Sequence, residues 1–295
     1  MTPIMKAAWG SLAISVVVLS LKAAAYWLTG SVALLSDALE TVINVAAALG
    51  ALVALRLSAR PADANHHYGH NKAEYLSAMV EGALVLVTAF LIAREAWVGW
   101  NSPHAPETPF LGISLNAAAG VINLFWAVFL IRRGRSWKSP ALIAGGQHIM
   151  TDVWTTGAVL IGVALVPLTG YLRLDPLIAG LVALNILWTG YGMLRESMGA
   201  LMDEVSDPEA VAVIRRIISQ NAAGAIEAHD VRTRTAGSVT FIEFHLVVPG
   251  PMTVDAAHEI CDRIEAALRS HLGTAVINIH VEPEGKAKQS GVPVL

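Results

Sequence analysis

Long apolar runs follow one another along the first two thirds of the chain, separated by short polar breaks. Six are long enough to cross about 30 Å of hydrocarbon as helices, at roughly 7–28, 33–57, 75–98, 111–131, 141–166 and 175–196. Thr29-Gly30-Ser31, Pro103 to Pro109 and Pro167 to Arg173 read as the turns or loops between them. From Arg195 onward the pattern changes, because charges become dense and apolar residues recur at short periods. Val211, Ile214, Ile217 and Ile218 form a helical stripe behind the helix start Ser206-Asp207-Pro208-Glu209. Segments 228–235 and 240–248 flank Gly237-Ser238, and Ile242, Phe244, Leu246 and Val248 alternate with Phe241, Glu243, His245 and Val247, which predicts a hairpin. A second amphipathic helix follows from Thr253 to about His271, with Val254, Ala257, Cys261, Ile264 and Leu268 expected on its buried side, and Val276 to Val281 makes a last strand. The order αββαβ places helices on one face of a three-stranded sheet. The expected organisation is a transmembrane domain at 1–204, a small α/β domain at 205–284 and a flexible tail at 285–295.

Composition agrees with that division: 55% hydrophobic residues, 15% charged and a mean hydropathy of +0.55 exclude an ordinary soluble domain. The lipid bilayer is therefore the first partner. A net charge of −3 offers nucleic acid no surface, and the single cysteine, Cys261, excludes an intrachain disulfide. Residues 1–25 superficially resemble a signal peptide, but Lys22 falls where a cleavage region would be small and uncharged, and apolar sequence resumes at once, so a retained helix is expected. Lys6, then Arg56, Arg60 and Lys72, then Arg132, Arg133, Arg135 and Lys138 mark one side of the membrane. The first and third loops carry no Lys or Arg and the fifth only Arg173, which puts both termini in the cytoplasm of a multi-pass inner (plasma) membrane protein.

Polar residues inside the apolar runs carry the candidate chemistry. His148 and Asp152 stand one helical turn apart, as do Glu40 and Asn44, and residues at i and i+4 share one helix face. Ionisable groups at membrane depth are costly enough to mark a substrate or ion pathway, and two such faces together suggest a metal site. Asp37, one turn before Glu40, is placed to tune it, while Lys22 and Glu81 could pair between helices. In the loop after the second run, Asp63, His66 and His70 have spacing able to close around a divalent ion, with His67 in reserve. In the α/β segment His229 begins a strand, His245 lies opposite the Ile242 and Phe244 row, His258 sits on the second helix, and His280 and Glu282 share one sheet face. Folding could gather these four histidines and the carboxylate into a metal site. The chain contains no HExxH, GxSxG or Walker sequence, which argues against an enzyme.

These residues resemble the cation diffusion facilitators, and within them the bacterial ferrous-iron and zinc efflux branch. The resemblance covers about residues 7–284 and rests on Pro61-Ala62-Asp63 through His66, Gly69-His70 and Lys72-Ala73-Glu74, on His148-x-x-x-Asp152-Val153, and on Ala228-His229-Asp230-Val231-Arg232-Thr233-Arg234. It implies a homodimer whose tail is ferredoxin-like, exchanging a cytoplasmic divalent cation for protons. It further implies a transport site at Glu40, Asn44, His148 and Asp152, a loop site at Asp63, His66 and His70, and a cytoplasmic binuclear site at His229, His245, His258, His280 and Glu282. Lys72 and Asp203 correspond to an interlocking charge pair at the dimer's membrane edge. No organic cofactor is implied.

One departure bears on the cargo. Close relatives place Asp at both second-helix positions, whereas this chain has Glu40 and Asn44. Asn offers only a neutral carbonyl, so the set is harder and more oxygen-rich than a typical zinc site, and ferrous, manganous, cobalt and nickel ions stand beside zinc as candidates. The competing class is a membrane-anchored metal sensor that transports nothing, against which the buried ligand pairs argue, since an anchor needs none.

Overall fold

Each apolar run folds into a helix of 27 to 30 residues: α1 Pro3–Thr29, α2 Val32–Ser58, α3 Ala73–Asn101, α4 Phe110–Ser136, α5 Pro140–Thr169 and α6 Leu174–Leu201. At 1.5 Å per residue these are about 40 Å long, more than a hydrocarbon core requires. The computed structural model describes the chain apart from residues 1, 30, 31, 103–109, 206, 207, 289–291, 294 and 295. Among the described residues, four spans, within α1, α3, α4 and α6, are long and apolar enough to cross a membrane. The remaining helices, α2 and α5, carry the polar pairs. Helices outrun the apolar runs because a helix ends at a backbone stop and not where hydropathy falls. α4 continues through Arg132, Arg133 and Arg135 until Lys138, at φ 52, turns the chain into α5.

Two compact units result, residues 1–198 and 199–295. In the first, large apolar side chains such as Trp27, Trp97, Phe125 and Trp188 lie exposed on the outside, while Asn44, Glu81, His148 and Asp152 are buried. This inversion suits a lipid surround. Glycines let the helices approach where their backbones cross. A Cβ at Gly146 of α5 would lie 2.8 Å from Ile131 Cγ1 and 3.0 Å from the Ile131 nitrogen, and one at Gly134 of α4 would lie 2.9 Å from Ile143 Cγ1 and 3.0 Å from the Ile143 nitrogen. α4 and α5 thus interlock through a reciprocal pair of small residues. At the start of α3, the buried Glu74 carboxylate accepts hydrogen bonds from Ser58 at the end of α2, at 3.2 Å, and from Ser139 just before α5. Three helix ends are held by one side chain.

The second unit comprises α7 Pro208–Asn221, β1 Glu227–Ala236, β2 Val239–Val248, α8 Val254–Leu272, β3 Ala275–Pro283 and a two-residue β4, Val292–Pro293. The strand order is β3-β2-β1-β4, with β1 antiparallel to β2 and β4, and β2 parallel to β3. Ile214 and Ile218 of α7 and Ile260, Ile264 and Leu268 of α8 pack on Ile242, Phe244 and Leu246. Thr253 caps α8 by accepting from Ala256 N at 3.2 Å, and Gly273, at φ 78, ends it. The Arg263 guanidinium donates to the carbonyls of Asn221 at 2.8 Å and Ala223 at 2.5 Å, closing the end of α7.

Two sequence expectations change. Val254 is 85% exposed, because it opens α8 before the helix reaches the sheet. Within the segment expected as a flexible tail, Val292 and Pro293 pair with Ala228 and Glu227 as a fourth strand. Lys288 also engages β1 through Glu227 and Asp230, and a two-residue strand cannot be announced by any periodicity.

Replacing Gly146 by Val should cost about 1–3 kcal/mol through overpacking against the α4 backbone. The thermal midpoint in detergent is expected to fall clearly for Gly146→Val and to stay near wild type for Gly157→Ala, where a Cβ meets nothing within 4 Å.

Candidate metal sites

The helical period of α5 sets His148 and Asp152 on one face, and α2 presents Asn44 to it. All three are buried. The Asn44 amide joins them: its Nδ2 donates to the Asp152 carboxylate, and its Oδ1 meets His148 Nε2 at 2.7 Å. Because the amide donates to a carboxylate that can only accept, its carbonyl faces the imidazole, and the proton of that contact sits on Nε2. Thr151 and Thr155 spend their hydroxyls on the backbone carbonyls of His148 and Asp152, at 2.6 and 2.9 Å. Glu40 falls one turn before Asn44 on α2, and its side chain, like that of Asp37, lies outside the described residues. Glu81, expected as a partner of Lys22, instead accepts from Ser77 at 3.4 Å through one carboxyl oxygen, while the other has no hydrogen-bond partner.

Between α2 and α3, Asp63 organises its own loop. One carboxylate oxygen accepts from the backbone of Asn65 at 2.9 Å and of His66 at 2.8 Å. Those backbone bonds, with the approach of His66, hold the Asp63 pKa below the ordinary carboxylate value. Its oxygens also lie 3.2 Å from His66 Nδ1 and 3.5 Å from His70 Nε2, and the two rings stand with centroids 4.3 Å apart. Donor atoms of all three residues fit within 4.8 Å of one another. Gly69, at φ 80, makes the bend that returns His70 to Asp63. His67, the reserve ligand, is committed to the Ala64 carbonyl at 3.1 Å.

In the second unit, sheet register does what sequence spacing cannot. His229 pairs with His245 across β1 and β2, and His245 with His280 across β2 and β3, so three histidines form one row on neighbouring strands. Neighbouring ring centroids are 5.2 and 4.9 Å apart. Glu282, two residues beyond His280 and hence on its face, lies 3.3 Å from His229 Nε2, 3.3 Å from His245 Nδ1 and 3.8 Å from His280 Nε2. His258 does not join them in this structure: it is 73% exposed on α8 and pairs with Asp262, one turn on, at 3.7 Å.

Two further carboxylates approach this cluster. Asp230 has a donor atom within 4.8 Å of those of His229 and His245. Strict alternation would turn it to the opposite face from His229, but a register shift between His229 and Arg232, with Asp230 at φ 52, brings it round. The Lys288 ammonium bonds its carboxylate at 2.6 Å and lowers its pKa. Glu227 lies 3.0 Å from His229 Nδ1, as an outer partner that orients the ring. Its spacing of two from His229 repeats that of His280 and Glu282, a signal present in the sequence. Lys72 immediately precedes α3, and Asp203 follows α6 in the second unit, 3.9 Å from Arg234.

The chain matches the family model of the cation efflux transmembrane domain over residues 8–202 and that of the cation efflux protein cytoplasmic domain over residues 206–284. It is 42% identical over 273 residues to the uncharacterized transporter sll1263 of Synechocystis sp., covering 92% of this chain and 88% of that protein. It is 33% identical over 278 residues to the cation-efflux pump FieF of Yersinia enterocolitica, covering 94% of this chain and 92% of that protein. A solved structure on the mode of action of CzrB, a proposed zinc transporter, in its Zn form shares 43% identity, covering 30% of this chain and 98% of that one, with a TM-score of 0.28. Matched over both of its parts, the chain belongs to the cation diffusion facilitator family of cation efflux transporters, as a multi-pass membrane protein with a cytoplasmic α/β domain.

Proposed function

We propose that this protein exports a divalent metal cation from the cytoplasm in exchange for protons. It works as a homodimer in the inner membrane with both termini on the cytoplasmic side. The observation that carries the reading is the buried constellation of His148, Asn44 and Asp152, three potential ligands drawn from two helices and joined by one amide. Glu40 completes the set as its second anion. The family membership, and the name cation-efflux pump carried by the FieF relatives, support export over a sensor role.

Exchange follows from the state of each donor. His148 Nε2 and an Asp152 oxygen, the atoms a cation would take, are engaged by Asn44. Loading requires the amide to release both, and a His148 that stands as imidazolium gives up its Nε2 proton to the aqueous side, because a metal binds the neutral ring. Reprotonation of His148 then expels the cation, and rocking of α2 and α5 within the bundle changes the side to which the site opens. Glu40, Asn44, His148 and Asp152 offer more oxygen than nitrogen and no sulfur, which suits ferrous, manganous, cobalt or nickel ions at least as well as zinc. The tail cluster around Glu282 acts as a cytoplasmic metal sensor that biases the transporter. The loop site at Asp63, His66 and His70 lies on the cytoplasmic side between α2 and α3, and Lys72 with Asp203 ties the dimer at the membrane edge.

Flux of zinc, ferrous, manganous, cobalt and nickel ions into proteoliposomes under a proton gradient tests the reading. Wild type is expected to move a non-zinc ion, and Asn44→Asp, which adds a carboxylate and removes the amide clamp, should gain zinc. If neither moves any ion while the tail still binds metal, the protein is a sensor.

In the same assay His148→Ala should lose at least roughly tenfold in flux and its dependence on the proton gradient. Unchanged flux would remove His148 from the site. Replacing His245 and His280 together with Ala should flatten the dependence of flux on cytoplasmic metal while metal binding at His148 persists.

A further inference from the structure

Glu81 stands on α3, outside the residues assigned to transport, and its burial needs a reason. It is only 2% exposed, one carboxyl oxygen accepts from Ser77, and the other has no partner. A buried carboxyl oxygen without a hydrogen bond is a net cost to the fold. Its surroundings show where that oxygen can be used. A cavity of about 20 Å³, room for one water-sized occupant, is lined by Glu81, His148, Asn44, Ser11 and Ser15, with alanines and Gly145 completing much of the wall. Gly145 keeps the wall open at the carboxylate, since a Cβ there would lie 3.4 Å from Glu81 Oε2. His148 brings a second unsatisfied donor: its Nδ1 is buried without a hydrogen bond of ordinary geometry and faces the Glu81 backbone at longer range.

One carboxylate oxygen without a hydrogen bond and one imidazole nitrogen held by no side chain, both buried, thus belong to residues of the same small cavity. These are the donors that borderline divalent cations take. With Asn44 neutral and the Asp152 carboxylate engaged by its amide, Glu81 adds a carboxylate on a third helix beside Asp152 and Glu40.

We propose that Glu81 is a ligand of the transported cation, holding it together with His148 in the cavity between α2, α3 and α5 as a station beside the Asn44–Asp152 position. The proposal rests on the transport reading above and adds a third helix to it. α3 then moves with the load, and an ion passes between the two stations by keeping His148 as the shared ligand.

Co2+ is the probe, because its visible absorption bands report the ligand set directly. The full-length chain carrying Asp63→Ala, His66→Ala, His70→Ala, His229→Ala, His245→Ala, His258→Ala, His280→Ala and Glu282→Ala, which removes the loop and tail ligands, is titrated with Co2+ in detergent. Glu81→Gln in that background should weaken binding by roughly tenfold or more and shift the bands. Glu81→Asp should retain binding with altered bands, which separates loss of the carboxylate from loss of packing. If Glu81→Gln binds with the affinity and spectrum of its parent while His148→Ala does not, Glu81 is a packing residue and the proposal falls alone. If the parent and His148→Ala bind Co2+ alike, or the parent binds none, the transport reading itself fails and the station with it. Should Glu81→Gln not fold, as judged by size exclusion, bands unchanged in Glu81→Asp overturn the proposal.

Discussion

A polar side chain inside a bundle of apolar helices needs a partner from another helix, since lipid supplies none. Asn44 answers that need twice, donating to Asp152 and meeting His148, and so couples α2 to α5 at the point where the ligands lie. Helix approach makes this possible. Gly134 and Gly146 bring α4 and α5 to backbone contact, Gly82 brings α3 to the backbone of α6 at Leu194, and Glu74 gathers the ends of α2, α3 and α5. One amide thus satisfies both the buried acid and the buried imidazole.

Three candidate ligand clusters arise here from three different physical devices. The membrane trio depends on the 3.6-residue period of α5 and on one neighbouring helix. The loop cluster is local: Asp63 builds its own turn through the backbone of Asn65 and His66, and Gly69 returns His70 to it. The cytoplasmic cluster is a product of sheet register, with one histidine from each of three adjacent strands and Glu282 bridging among them. Each device has its own weak point, respectively the distance between helices, the flexion of a short loop and the pairing of β1 with β2. The loop and sheet clusters are built from contacts separate from the packing of the helices.

Much of this was legible in the chain itself. Apolar length forecast six helices because burial in lipid leaves little choice of structure, and the 3.6 period forecast that His148 and Asp152 share a face. Alternation along residues 240–248 forecast which side of β2 meets the helices, and Asp63-x-x-His66-x-x-x-His70 forecast a local cluster, since a short loop has few ways to arrange itself. Residues whose fate depends on partners far away in sequence were not legible. Lys22 and Glu81 looked equally suited to a pair, yet Glu81 turns to Ser77 and a cavity, because only helix packing determines which faces meet.

His258 and Asp230 show the same limit from both sides. Helical spacing put His258 on α8 within plausible reach of the strands, but it faces Asp262. Strict alternation would turn Asp230 away from the histidines, and a bulge brings it to them. The sequence by itself determined the helical spans, the strand periods and the residue types available for metal chemistry, because these follow from local geometry and solvation. Only the tertiary structure decided that Asn44 would bridge His148 and Asp152, that three histidines would fall in one register and that Glu81 would keep an unclaimed oxygen. Those outcomes depend on contacts between segments tens of residues or more apart, whose relative placement is set by packing, to which hydropathy and periodicity are blind.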